Sequence, residues 1–469
     1  MSGIVASALL IVLVLAFVGL TLRLLWRDDV APATRLAWMV TFVLLPYVGI
    51  ALYVLIGERR LRRGFVTRYR EIGARNPVPE PIGTVEPPCG AFAYATTING
   101  FRTTGGNRGE LMPDERAATA RLVADIDAAR ESVHILFYIW LADGTGTEVA
   151  RAIVRAARRG VRCRILVDAI GSRALTRSPL WQDMKNAGAE CRTALPVGNP
   201  LALLFERVDL RNHRKIAVVD GRIGFCGSQN CADPEFLPKA RYGPWVDVQL
   251  RLEGPVVAQM ELLFGQDFDA YGGRSPAFVL TPPPIEGGFV AQMVGTGPVS
   301  PAGQSAQLFS TLIFEARREL FVTTPYFVPD ETVRSALCAA ALAGVAVTLI
   351  LPRRNDARTV ALASRSHYAR LLRAGVRIYE FEGGLLHAKT LTVDGAITFM
   401  GSSNMDIRSF DLNFENDVLF RDAALTAAVR ERQAQYLSRS REVTLAEVEA
   451  WPLWRRIVNN SVATVSPML

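Results

Sequence analysis

The chain has 469 residues, 50% of them apolar and 21% charged, a balance that excludes a disordered protein and leaves room for two or three domains. A net charge of +8 favours partners carrying negative charge, whether phosphate substrates, anionic lipid headgroups or nucleic acid, without choosing among them. Six cysteines with no C-x-x-C pair and only four histidines argue against a zinc site or a disulfide framework and fit a reducing compartment.

In chain order, residues 4–22 form an uncharged apolar run of 19 and residues 36–56 a second of 21, interrupted only by Pro46. Each is long enough to cross a hydrocarbon core of about 30 Å as a helix. The first lacks the basic start and cleavage site of a signal peptide. Arginines at 59, 60, 62, 63, 68 and 70 follow the second run against a lone Glu58, so positive-inside reasoning places the body of the chain, and the N-terminus, in the cytoplasm. The same arginines suit anionic lipid, at about 1 kcal/mol each near a surface, or serve only as a topology signal. The expected domains are a transmembrane hairpin with its basic segment (1–70), a linker with a leading strand (71–110, Pro-rich at "NPVPEPIGTVEPP", 76–88), and two lobes (111–285 and 286–469).

The lobes are read from a repeat. Each has a helix-like stretch with Ala-Arg ("LVADIDAARESV", "LFSTLIFEARREL"), then a β-rich run with a tyrosine and an acid ("HILFYIWLAD", "LFVTTPYFVPD"). An alanine-rich helix follows, ending at glycine before an apolar strand ("AIVRAARRGVRCRILVD", "SALCAAALAGVAVTLILP"). Alternation of helices with short apolar strands predicts an α/β fold with mixed sheets flanked by helices, as two lobes about a pseudo-twofold axis.

Both lobes then carry the same spacing, H-x-K-x4-D-x6-G-S-x-N, in "HRKIAVVDGRIGFCGSQN" from His213 and "HAKTLTVDGAITFMGSSN" from His387. Only four of the 53 basic residues are lysine, and two of them, Lys215 and Lys389, stand here, which implies a requirement beyond charge. Strand character around each histidine puts positions i and i+2 on one face, so an imidazole and an ammonium sit side by side. Asp220 and Asp394 fall at an odd offset and precede glycine, a hairpin-turn signal, so turn chemistry competes with contact to substrate. Ser228 with Asn230, and Ser402 with Asn404, could add donors beside each pair.

Paired histidines suit phosphoryl transfer without a metal. A neutral imidazole attacks phosphorus, the second donates a proton to the departing oxygen, and lysines and asparagines offset the charge on the other oxygens. One isolated copy would be an ordinary pair; two with identical spacing are not coincidence.

These residues resemble the phospholipase D superfamily, marked by a duplicated H-x-K-x4-D signature, and the likeness is greatest to bacterial cardiolipin synthases. It extends to "LPYVGIALYVLIGERR" (45–60), "TPYFVPD" (324–330), "NMDIRSFDLNFE" (404–415) and the terminal "SPML". The resemblance implies transfer of a phosphatidyl group from one phosphatidylglycerol to a histidine with loss of glycerol, then to a second phosphatidylglycerol. Carried over, His213 is the nucleophile, His387 the acid and then base, and Lys215, Lys389, Asn230 and Asn404 hold the phosphate. Glu415, 28 residues after His387, matches an acid that orients an imidazole; the equivalent position in the first half is Arg241, and Asp247 is the nearest acid. The family counts Asp220 and Asp394 in the active site, and they are kept there against the turn reading.

Expected partners are phosphatidylglycerol, other anionic phospholipids and the bilayer of a bacterial inner membrane, with no nucleic acid, no cofactor and no metal; a homo-oligomer stays open. The competing reading is a phospholipase D-type hydrolase acting on phospholipid or, in second place, nucleic acid. His134 and His367 read as packing residues. Tyr138 and Tyr326 either line the cleft or belong to the core, and the apolar stretch 197–210 either dips into the bilayer or is buried.

Overall fold

The computed structural model describes residues 2–28, 30–58, 61, 63–75, 90–196, 207, 209–275, 279 and 281–464. The connector 76–88, arginines 59, 60 and 62, nearly all of the apolar stretch 197–210 and the terminal "SPML" lie outside the described residues. The chain divides into two compact units, Met1–Arg63 with Gly198–Asp209, and Gly64–Val197 with Leu210–Leu469.

The first unit contains helices Ser2–Trp26, Pro32–Leu44 and Pro46–Ile56. The second apolar run is thus two helices, because proline at 46 cannot donate the hydrogen bond that would continue the first. Among the described residues no helix is long and apolar enough to cross a membrane. Trp38, Phe42 and Tyr53 pack together, Tyr53 edge-on to both other rings. Arg23 grips Glu58 through two bonds of 2.5 and 2.7 Å, and the Tyr53 hydroxyl donates to the same carboxylate.

The second unit holds both lobes on one 16-stranded sheet. Strand Thr104–Leu111 pairs antiparallel with Phe289–Thr296 at the seam. Outward from it, one half runs Gln249–Glu253, Ile223–Gly227, Lys215–Val219, Ser132–Phe137, Arg162–Asp168, Glu190–Ala194. The other repeats this with Asn413–Arg421, Ile397–Gly401, Thr390–Val393, Glu319–Thr323, Ala346–Pro352, Arg377–Phe381, and adds Ser440–Val443 at the edge. The repeat read in the sequence is this repeated strand order.

Ser132–Phe137, Arg162–Asp168 and Glu190–Ala194 run parallel to one another, as do Glu319–Thr323, Ala346–Pro352 and Arg377–Phe381, while the added edge strand Ser440–Val443 is antiparallel. Their crossover helices include Gly144–Arg158 and Glu331–Leu342. Continuous apolar strands such as "HILF" and "TLIL" are buried on both faces, as parallel strands covered by helices must be. Both helices start on aspartate, Asp143 accepting from Gly146 N–H and Asp330 from Val333 N–H, caps worth about 1 kcal/mol each. Each half has its own core, and a third cluster draws Leu136, Ile216 and Phe264 from one half and Ile350, Phe381 and Phe420 from the other. At about 1.5–3 kcal/mol per large buried side chain, that shared core locks the lobes together.

Candidate active site

Each H-x-K segment leads into a hairpin whose turn is Asp-Gly. Asp220 and Gly221 have φ of 52° and 63°, Asp394 and Gly395 of 51° and 69°, the two successive left-handed residues of a type I′ turn. The Asp220 carboxylate accepts from the backbone N–H of Arg130, Glu131 and Ser132, and Asp394 from those of Arg317, Arg318 and Glu319, all at 2.7–2.9 Å for the shortest bond. Both carboxylates, expected among the catalytic residues, are thus bonded to backbone N–H groups at the turn. An aspartate seven positions after histidine, at the far end of the strand, is spent tying the turn to the start of the neighbouring strand.

The other motif residues converge at the opposite end. His213 and His387 sit in short breaks, between Arg211–Asn212 and Lys215–Val219 and between Leu385–Leu386 and Thr390–Val393, rather than within continuous strands. The stub before each break pairs in parallel with the other lobe: Arg211–Asn212 with Asn413 and Phe414, Leu385–Leu386 with Trp245–Val246. His213 N–H then donates to Phe414 C=O at 2.9 Å, and His387 N–H to Val246 C=O at 2.8 Å. The next residue on each accepting strand is the acid.

Consequently the acids serve across the lobes. Glu415 Oε2 lies 2.8 Å from His213 Nδ1, and Asp247 Oδ1 lies 2.6 Å from His387 Nδ1. The role that sequence left in doubt for Asp247 is the counterpart of Glu415. The serines turn to these acids: Ser228 Oγ donates to Asp247 and Ser402 Oγ to Glu415, both at 2.5 Å. Glu415 also accepts from Ser409 Oγ at 2.8 Å. The motif glycines permit this approach, since a Cβ at Gly227 would lie 2.2 Å from Val248 C=O and one at Gly401 2.3 Å from Asn416 C=O.

Lys215 and Lys389 are buried, and each donates from Nζ to the carbonyl of its own histidine at 2.6 Å, which leaves two ammonium protons for a ligand. Asn230 and Asn404 are buried as well, and Asn230 Oδ1 accepts from Ile139 N–H at 3.2 Å. Burial pushes the His213 imidazole down to about 4, with Lys215 and Lys389 adding to the effect against the pull of Glu415. Burial and the same two lysines hold His387 well below the usual histidine range. Both rings therefore rest neutral. Glu415 stays ionised, held below the usual carboxylate range by His213 and Lys215 despite its burial. An ionised carboxylate only accepts, so Nδ1 of His213 carries the proton and Nε2 keeps its lone pair. Desolvation also brings Lys215 down to about 8 and Lys389 to about 7, and raises Asp247 to about 6.

Aromatic rings fix the imidazoles. Tyr138 packs against His213 with centroids 4.8 Å apart, and Lys215 Nζ lies 5.6 Å from the same ring. Trp245 lies 4.5 Å from His387, while Tyr326 instead donates to Asp356 at 2.7 Å. Sequence reasoning passed over Trp245, although "GPWVDV" places it two residues before Asp247. It also passed over Asp356, whose charge acts on His387. His134 stacks on Phe264 and pairs with Glu261, and His367 is buried; both are packing residues.

Two buried histidines on a duplicated α/β core, each held by an acid of the other half, define a phospholipase D-like protein. A family model described as "Cardiolipin synthase, PLD-like domain" matches residues 122–241 and 309–437, one match per lobe. The chain is 36% identical over 479 residues to cardiolipin synthase A of Shigella boydii serotype 4 (strain Sb227), covering 97% of this chain and 96% of that protein. It is equally 36% identical over 489 residues to cardiolipin synthase A of Serratia proteamaculans (strain 568), with the same coverage. The chain belongs to the cardiolipin synthase family. Its fold is similar to a crystal structure of phosphatidylserine synthase from Haemophilus influenzae Rd KW20, with a TM-score of 0.60, 13% identity, and coverage of 86% of this chain and 100% of that one.

Proposed function

We propose that the chain is a cardiolipin synthase, a phosphatidyltransferase that joins two phosphatidylglycerol molecules. The observation that carries the reading is the pair of crossed dyads, His213 with Glu415 and His387 with Asp247, in a chain related over nearly its full length to cardiolipin synthases.

In the first step Nε2 of His213 attacks the phosphorus of one phosphatidylglycerol, forming a P–N bond. The P–O bond to the headgroup glycerol breaks, and His387, protonated once the phosphate anion has entered, gives its proton to that oxygen. Glycerol leaves. In the second step the hydroxyl of another phosphatidylglycerol returns a proton to His387 and attacks phosphorus, the P–N bond breaks, and cardiolipin forms with His213 restored. Lys215, Lys389, Asn230 and Asn404 hold the non-bridging oxygens, and the two lysines supply compact charge where it accumulates. Glu415 and Asp247 orient the rings and stabilise their cationic states. A water in the place of the acceptor would give phosphatidic acid instead.

We place the first unit at the membrane. Its helices leave Leu15, Leu22, Leu44 and Tyr47 exposed, apolar surface that suits lipid rather than water. The arginines after residue 58 favour the side bearing the catalytic body being cytoplasmic. Full-length protein in detergent, given phosphatidylglycerol labelled in its headgroup, should release glycerol and form cardiolipin; His213→Ala should do neither, and His387→Ala should form no cardiolipin and release glycerol slowly and at most once per molecule. Phosphatidic acid as the main product would reassign the enzyme as a hydrolase.

A further inference from the structure

An open pocket of about 410 Å³ is walled by Arg241 and Tyr242 of the first lobe and by Arg353, Arg354, Arg358 and Arg365 of the second. Asn355 completes the wall, and the next residue, Asp356, accepts from Tyr326 and from Lys239 Nζ at 2.5 Å and raises the proton affinity of His387. The wall also leads to the acid-base histidine along the chain: three residues after Tyr242, Trp245 lies 4.5 Å from the His387 ring. Arg353 is paired with Glu382 and Arg365 lies 3.6 Å from Glu380. Among the described residues no carboxylate pairs with Arg241, Arg354 or Arg358, so the pocket carries an excess of positive charge.

A helix start adds to that field, and apolar residues border it. Helix Arg358–Ser366 starts here, and its cap, Ala357, offers no side-chain oxygen to the first-turn N–H groups. The turn Leu237–Tyr242 that supplies Arg241 also exposes Leu237 at 74%, while Ala361 and Leu362 give the pocket an apolar floor. Anion recognition beside exposed aliphatic surface fits a phospholipid better than a soluble ion.

We propose that this pocket holds the phosphodiester of the acceptor phospholipid while its hydroxyl reaches His387. The inference rests on the transfer reading above. The donor phosphate lies at the histidines among lysines, whose rotatable point charges follow a phosphorus that changes geometry. The acceptor phosphate does not react, and a standing phosphodiester is what planar arginine forks bind best. The chain's division of labour, lysine at the motif and arginine at the pocket, follows from that difference.

The test compares two acceptors for one phosphatidyl-histidine in full-length enzyme: phosphatidylglycerol, which carries a phosphodiester, and labelled free glycerol, which carries none. In Arg354→Gln/Arg358→Gln the ratio of cardiolipin formation to glycerol exchange should fall about tenfold or more, with the loss in KM for the lipid acceptor, and Arg354→Lys/Arg358→Lys should recover part of it. Glycerol exchange in the same sample reports that the variant is folded. An unchanged ratio, or both reactions falling together, overturns the assignment. Wild-type enzyme that yields phosphatidic acid, with neither glycerol exchange nor cardiolipin, would instead overturn the transfer reading itself.

Discussion

Nδ1 of His387 lies 2.6 Å from Oδ1 of Asp247, 140 residues earlier in the chain and in the other lobe, and His213 makes the reciprocal contact with Glu415 at 2.8 Å. Neither half of the repeat therefore holds a complete dyad. A single lobe has a histidine and a lysine but lacks the acid that orients them, which makes the duplication a chemical requirement as well as a structural one.

Loss of either acid should show as a slower first step. Glu415→Gln keeps the shape but removes the charge that fixes the His213 tautomer, and the rate of glycerol release should fall about 10³–10⁴-fold, the scale seen when the orienting acid of a histidine is neutralised. Asp247→Asn should slow the protonation of the leaving glycerol by a comparable factor. Rapid-quench measurement of glycerol release separates these from a binding defect, which would raise KM and spare kcat.

Asp220 and Asp394 give the opposite expectation. Asp220→Ala frees three backbone N–H groups and places a Cβ-bearing residue without a side-chain acceptor at φ 52°. It should cost about 1–3 kcal/mol of stability, read as a lower thermal midpoint, and leave kcat per folded molecule within about threefold. A loss of activity without a loss of stability would return these residues to the catalytic set.

The buried lysines set a pH dependence. Lys389 is brought down to about 7 and Lys215 to about 8, whereas in an unfolded chain both would hold their protons to about 10.5. Between about pH 7 and 8.5 the unfolded state therefore binds more protons, and stability rises with pH through that window. Above it the buried thiols, Cys226 among them, reverse the sign, because burial raises their ionisation well above the usual range. Thermal midpoints in detergent should rise from pH 7 to 8.5, and Lys389→Met should flatten the rise. At pH 8 a phosphodiester entering the site should take up protons, measurable as a buffer-dependent heat of binding.

The fold was legible in the sequence because the repeat is spelled twice: two H-x-K segments, two Asp-Gly turns, and two glycine-ended helices feeding apolar strands. Glu415 was reachable through its offset of 28 from His387, but that offset points to the wrong ring. It serves His213, because Arg211–Asn212 crosses to pair with Asn413 and Phe414, a tertiary exchange that no local spacing encodes. Asp247 was obscured by a longer loop in the first half, which contains the turn Leu237–Tyr242 and carries the acid past the expected position, 241. The serines were legible as donors beside each His/Lys pair, but not which group they serve; buried against Asp247 and Glu415, they donate to those acids. At Pro46 the apolar pattern continues while the helix does not, since hydropathy is blind to the missing N–H.

The most direct test is to find where the phosphatidyl group is held. His387→Asn enzyme, left without both the acid that assists glycerol's departure and the base that activates the acceptor, should be incubated with phosphatidylglycerol long enough for one slow turnover, quenched at alkaline pH where a P–N bond survives, digested and sequenced by mass spectrometry. With His213 as the nucleophile, a phosphatidyl adduct should appear on His213 and none should form in His213→Asn. An adduct on His387 in the His213→Asn enzyme, with none on His213 in its counterpart, would reverse the roles of the two dyads and contradict the proposed order of attack and protonation.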